Sequence, residues 1–213
     1  TADSANEPSI GTCFHIGEGV FVTARHVVEN RTITKIATTI ASPDIAYGSY
    51  APREAKRIQG PFFHSNPDYD LAALRLADLT APQIPFYDLV KDGVDTELLL
   101  RPIVVMGYPP IPGCRSPVLV CARAEVNASF VTYFDNQRVY LVSCLARGGF
   151  SGGPALTPPH HCLGMVTRAV LKAALPEELG FMAVVGPLPI LELLHQHRMM
   201  PSYLREQVWE PHI

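Results

Sequence analysis

The stretch of this chain best equipped for chemistry is Arg147-Gly148-Gly149-Phe150-Ser151-Gly152-Gly153-Pro154, where glycines surround a single hydroxyl. A serine nucleophile must be approached closely by a substrate carbonyl, and glycine neighbours permit both that approach and unusual backbone angles. Gly149 can turn its N–H toward the same point as the N–H of Ser151, which makes the two-donor hole that stabilises a tetrahedral oxyanion. Taken alone, the segment fits a glycine-rich turn around a spectator serine equally well. An unaided serine is a weak nucleophile, so a base and a residue that orients it are needed elsewhere in the chain. His26 closes the apolar run Val20-Phe21-Val22-Thr23-Ala24-Arg25, and Asp70 stands at the mouth of Leu71-Ala72-Ala73-Leu74-Arg75-Leu76. Singly, His26 reads as a structural histidine and Asp70 as a turn or cap residue. Together, in the order His, Asp, Ser, they supply a base, its orienter and a nucleophile.

On these residues the sequence resembles the trypsin-like, chymotrypsin-fold serine peptidases, closer to the minimal bacterial HtrA type than to digestive trypsins. Thr23-Ala24-Arg25-His26 matches the family's T-A-x-H block, Asp70-Leu71-Ala72 its D-L/I-A block, and Gly149-Phe150-Ser151-Gly152-Gly153-Pro154 its G-x-S-G-G-P block. The resemblance spans roughly residues 10–186, with 44 residues from His26 to Asp70 and 81 from Asp70 to Ser151. It implies an all-β fold of two packed six-stranded antiparallel β-barrels with a short C-terminal helix. Residues 1–92 would carry His26 and Asp70, and residues 93–213 would carry Ser151. By the same resemblance His26 is the general base, Asp70 fixes its tautomer, Ser151 attacks, and the N–H groups of Gly149 and Ser151 form the oxyanion hole. The substrate is a protein or peptide, and neither cofactor nor metal is implied. The specificity pocket would have Leu145 at its floor and Val166, Thr167, Arg168 and Ala169 along its wall. An uncharged floor disfavours Lys or Arg and suits small to medium apolar side chains, whereas Arg168 turned inward would recruit Asp or Glu. Phe150 stands where trypsin has the acid that receives a newly cleaved N-terminus, so activation by that ion pair is ruled out. Val27 replaces a cysteine that many secreted members bridge.

Two other readings fit the residues in part. Gly149-Phe150-Ser151-Gly152-Gly153 also fits the nucleophile elbow of α/β-hydrolases, but no Asp follows Ser151, and Gly152-Gly153-Pro154 would break the helix that an elbow requires. A catalytically silent trypsin-like binding module would keep the motifs and fail through a misplaced Gly149 peptide.

The elements that must position these residues are strands. Segments rich in Val, Ile, Thr, Tyr and Phe recur between Gly, Pro, Asn and Asp, predicting an all-β sandwich or barrel. Strands are expected near 11–17, 19–24, 32–40, 53–63, 71–76, 102–107, 117–126, 129–134, 138–144, 153–156, 162–170 and 180–185. Asp135-Asn136 suits a hairpin turn, and residues 78–101, rich in Pro and Asp, suit a connector between halves. A helix is expected from Pro189, with His195, His197 and Arg198 near its negative end.

Composition excludes several partners. With 213 residues, 47% hydrophobic and 17% charged, the chain can bury a sizeable core, and a net charge of -3 leaves no basic stripe for nucleic acid or an anionic membrane. The most apolar stretch, Leu179 to Leu191, is interrupted by Gly180, Gly186, Pro187 and Pro189, so no membrane span is expected. Five cysteines, odd in number and scattered, suit reduced core thiols, and the N-terminus shows no signal-peptide pattern, so a cytoplasmic location is expected. His160-His161-Cys162 after Pro158-Pro159 reads as a loop entering a strand rather than a zinc site. The polar N-terminus and the tail at 209–213 suit one module of a larger protein or complex.

Overall fold

Apolar residues on both faces of a short segment mark a strand covered on both sides, and Val20–Thr23 (β2) is buried at every position. It lies between Cys13–Gly17 (β1) and Ala72–Arg75 (β6), with Gln59–Phe63 (β5) on the outer side of β6. β1 and β2 are joined by Glu18-Gly19, both at positive φ (50° and 72°), the backbone of a tight hairpin whose twist matches its strands. A short α1, Arg25–Val28, follows β2 directly. The computed structural model describes residues 9–41, 50–79, 81–86, 98–114, 117–132, 136–144, 148–158, 160–167 and 181–208.

The second half is the closed barrel expected from the resemblance. Pro102–Gly107 (β7), Val120–Val131 (β8), Arg138–Val142 (β9), Pro154–Thr157 (β10), His161–Val166 (β11) and Met182–Val185 (β12) close in the order β10-β11-β12-β9-β8-β7, each pair antiparallel. Its interior holds Ile103, Val105, Val126, Tyr140, Val142, Leu163, Met182 and Val184. Strands expected separately at 117–126 and 129–134 are one strand, β8. The break expected between them is a shift in register between Val126 and Ala128, which bends the strand around the barrel without ending it. The first half differs from a second closed barrel among the described residues. Its four-stranded sheet stands beside a separate ribbon of Ala37–Ala41 (β3) and Tyr50–Glu54 (β4), so the single strand expected over 53–63 is divided between β4 and β5. Asp135 of the expected hairpin lies outside the described residues, whereas Asn136 takes a positive φ of 60°.

Two helices close the chain. α2, Pro187–Gln196, begins a little before the expected Pro189 start, and α3, Ser202–Val208, was not anticipated from the sequence. α3 starts where Glu18 accepts hydrogen bonds from the Ser202 N–H and hydroxyl (2.9 and 2.6 Å), a contact made across 184 residues that no local pattern announces. Ile190, Leu193 and Leu194 of α2 lie in one core with Phe14, Ile16 and Val22 of the first sheet and Leu156, Cys162 and Met165 of the barrel. Burying each such side chain contributes roughly 1.5–3 kcal/mol, so α2 fastens the two halves together. Among the described residues no helix is long and apolar enough to cross a membrane.

Candidate active site

The pairing of β2 with β6 puts Thr23 opposite Ala72, so the residues just beyond these strand ends, Ala24 to His26 and Asp70, are neighbours. The Arg25 N–H donates to the Asp70 carbonyl (3.2 Å), and the His26 N–H donates to Asp70 Oδ1 (2.9 Å). His26 Nδ1 lies 2.7 Å from Asp70 Oδ2, and the Thr167 hydroxyl donates to the same oxygen at 2.7 Å. Burial alone would push the Asp70 carboxyl up, but the hydrogen bonds and charge of His26, with the Thr167 bond, outweigh it and hold the group below the usual carboxylate range. An ionised carboxylate only accepts, so the proton of the neutral imidazole belongs on Nδ1 and the lone pair on Nε2.

Ser151 is delivered by a turn in which Gly149, Gly152 and Gly153 have no room for a side chain. Gly149 (φ +91°) and Gly152 (φ +82°) occupy the left-handed region, and a Cβ on Gly152 would lie 2.9 Å from the Ala24 nitrogen. The turn therefore packs directly on the segment that leads into His26. Gly152 N–H donates to the Val166 carbonyl (2.9 Å), Val166 N–H to the Gly153 carbonyl (2.9 Å), and Gly153 N–H to the Phe150 carbonyl (2.8 Å). Phe150 is buried in the barrel interior, in space left by Gly107, where a Cβ would come within 2.7 Å of the ring. That accounts for an apolar residue beside the nucleophile. The Ser151 hydroxyl makes no hydrogen bond to His26 among the described residues; the packing of Gly152 on Ala24 is what joins the two loops.

Of the residues given to the specificity pocket, Leu145, Arg168 and Ala169 lie outside the described residues. Val166 ends β11, and Thr167, assigned to the pocket wall, has its hydroxyl on the Asp70 carboxylate. Thr12, which no motif singled out, and Thr23, which opens the T-A-x-H block, also belong to the site. The Thr23 hydroxyl donates to the Thr12 carbonyl (2.7 Å), and the Thr12 N–H donates to the Ser151 carbonyl (3.0 Å). Thr12 stands just before β1 with no motif around it, so nothing local in the sequence marks it.

The chain matches the trypsin-like peptidase domain over residues 11–165. In fold it is similar to the Rv3671c protease from M. tuberculosis in its active form, at 20% identity and a TM-score of 0.58, covering 87% of this chain and 72% of that one. It is also similar to the serine endoprotease from Yersinia pestis (14% identity, TM-score 0.58, 92% of this chain and 60% of that chain). The HtrA-type protease AlgW with a decapeptide is a further likeness (17%, TM-score 0.60, 89% and 52%). Comparison with curated proteins finds no match. The solved structures establish the fold, while the sequence match runs from before His26 to beyond Ser151. The chain therefore belongs to the trypsin-like peptidase domain family and is a serine endopeptidase of chymotrypsin-like fold.

Proposed function

We propose that this peptidase cleaves protein or peptide substrates through an acyl-enzyme on Ser151, with His26 as base and Asp70 as its orienting acid. The observation that carries the reading is the geometry around Asp70, which takes the His26 N–H, His26 Nδ1 and the Thr167 hydroxyl at 2.7–2.9 Å. Ser151 Oγ attacks the scissile carbonyl while its proton passes to His26 Nε2, and the oxyanion accepts the N–H groups of Gly149 and Ser151. His26 then gives that proton to the departing amine. Water, deprotonated by the same nitrogen, attacks the ester and releases the acid and free Ser151. No metal or cofactor enters this sequence. Residues 1–92 supply the base and its orienter, residues 93–213 the nucleophile, and the first half acts as the counterpart of the closed barrel.

Substrate preference follows from Leu145 as pocket floor and Thr167, Arg168 and Ala169 along the wall. An apolar floor leaves a buried Lys or Arg without a partner, at several kcal/mol, whereas each buried methylene of Leu, Val, Met or Ala contributes about 0.8 kcal/mol. A small to medium apolar residue before the cleaved bond is the preferred reading, and acid specificity abolished by Arg168→Ala is its competitor. A reducing, cytoplasmic setting suits five cysteines with no disulfide among the described residues, although only Cys162 is the buried core thiol expected and Cys114 and Cys121 are exposed. The test is a peptide-library digest by the wild type beside Ser151→Ala. The mutant should lose about 10⁴-fold or more in kcat while keeping its fold, and a mutant that cleaves at the wild-type rate overturns the assignment. A profile dominated by Lys and Arg overturns the pocket.

A further inference from the structure

The oxyanion-hole assignment above requires the peptides on either side of Gly149 to be held one way round, and a glycine at φ +91° has little of its own to hold them. In this chain an ion pair cannot do it, because the residue between Gly149 and Ser151 is the uncharged, buried Phe150. The structure places a different group there. The Thr12 hydroxyl donates to the Gly149 carbonyl at 2.6 Å, a buried bond across 137 residues, and accepts the Tyr108 N–H at 3.1 Å. The Tyr108 N–H also donates to the Gly149 carbonyl at 3.1 Å. Two residues further on, the Thr12 N–H takes the Ser151 carbonyl at 3.0 Å. One residue of the N-terminal half thus grips the carbonyls of both residues whose N–H groups are assigned to the oxyanion. Those N–H groups donate to no protein acceptor among the described residues. Thr12 is itself held, since the Thr23 hydroxyl donates to its carbonyl at 2.7 Å and its side chain is shut off from solvent at 4% exposure.

Resting on the triad reading, we propose that Thr12 is a positioning residue that presets the oxyanion hole by pinning the Gly149 and Ser151 carbonyls inward, so that the site needs no charged activation contact at Phe150. Gly149 is free to rotate in isolation, and its carbonyl is the handle by which it is fixed. With the hydroxyl gone, only the Tyr108 N–H remains on that carbonyl among the described residues; the Gly149–Phe150 peptide loosens, and with it the Gly149 backbone angles that aim the N–H of the adjoining Gly148–Gly149 peptide at the oxyanion. Such a defect lowers the rate per site without weakening substrate binding, because the hole is filled only as charge develops.

The experiment compares wild type, Thr12→Val and Thr12→Ser on one peptide substrate, with competent sites counted by fluorophosphonate titration. Direct removal of an oxyanion donor costs about 10²–10³ in kcat, so loosening one should cost about 10–10² in Thr12→Val, with KM within about threefold. Affinity for a peptide aldehyde, whose adduct places an oxyanion in the hole, should fall by the same factor, while affinity for a non-covalent product peptide stays put. Thr12→Ser, which keeps the hydroxyl, should recover most of the rate. A folded Thr12→Val with wild-type kcat per titrated site overturns the proposal, as does a Thr12→Ser as slow as Thr12→Val, which would assign the effect to the lost methyl. Should Thr12→Val and Thr12→Ala both fail to fold while Thr12→Ser is normal, the hydroxyl serves folding and the positioning role is overturned. A wild type that fluorophosphonate does not label, with the same result as Ser151→Ala, fails the triad reading itself and the proposal with it.

Discussion

At the scale of single residues, Asp70 does more than face His26. Its Oδ1 holds the His26 backbone and its Oδ2 the imidazole, so the carboxylate fixes both the start of α1 and the ring. Asp70→Asn keeps the shape but offers an N–H where an acceptor is needed, which favours the wrong imidazole tautomer. The expected loss in kcat is about 10⁴-fold, read from steady-state cleavage of a library-selected peptide. The same residue predicts an acid limb of stability. Because its folded pKa lies below the ordinary carboxylate value, folding favours the ionised form; that contribution is complete above about pH 4 and is lost as pH falls through the folded pKa. Denaturant unfolding of wild type against Asp70→Asn should therefore show a gap that is constant from neutral pH down to the carboxylate range and closes below it. A gap unchanged at pH 2 would refute the linkage.

At the scale of elements, α2 reaches across to the loop that presents Asp70. His64, just after β5, is buried against the Tyr69 ring (centroids 4.4 Å apart), accepts the Asn66 N–H on Nδ1 (3.0 Å), and faces Gln196 and Glu192 of α2 at 3.3 and 3.5 Å from its Nε2. Gln196 also accepts the Ser65 N–H (2.9 Å), and His197 hydrogen-bonds the Phe63 carbonyl (2.7 Å). Burial lowers the His64 pKa, with His197 acting in the same direction and Glu192 against it. A lowered histidine value means that the unfolded chain binds the proton more readily, so stability is full above the unfolded value of about 6.5 and declines as pH falls below it. His64→Gln should flatten that decline. Thermal melts at pH 7.5 and 5.5 give the comparison, and an equal drop in Tm for both proteins would remove His64 as its source.

At the scale of the whole molecule, the first sheet and the barrel share one hydrophobic cluster sealed by α2. Ile190 is fully buried within it. Ile190→Ala removes its methylenes from a core that cannot fully collapse, for about 2–5 kcal/mol of lost stability. Because that core spans residues 14 to 204, both halves should melt together in one transition in wild type and variant alike. Two resolved calorimetric transitions in the wild type would show that residues 1–92 and 93–213 unfold independently.

The sequence alone determined the parts of this protein that depend on residue type and short spacing. The alternating and continuous apolar runs carried most strands, Pro and the leucine run carried α2, and three short blocks marked His26, Asp70 and Ser151. Each is a local signal, since strand period, helix period and the glycine demand around a nucleophile act over a few residues. Tertiary structure decided what depends on partners remote in the chain. The gap expected between strands 117–126 and 129–134 proved to be a bend within β8, because its register is set by β9. Thr167 was read only as pocket wall, and its hydrogen bond to Asp70, 97 residues away, came from the packing. α3 begins on a bond to Glu18, Phe150 has its place in the barrel because Gly107 leaves room for it, and Thr12 meets Gly149 and Ser151 across 137 residues or more. A hydrogen bond closed across more than a hundred residues leaves no period or composition to read, because its two ends are adjacent only after the sheets have packed.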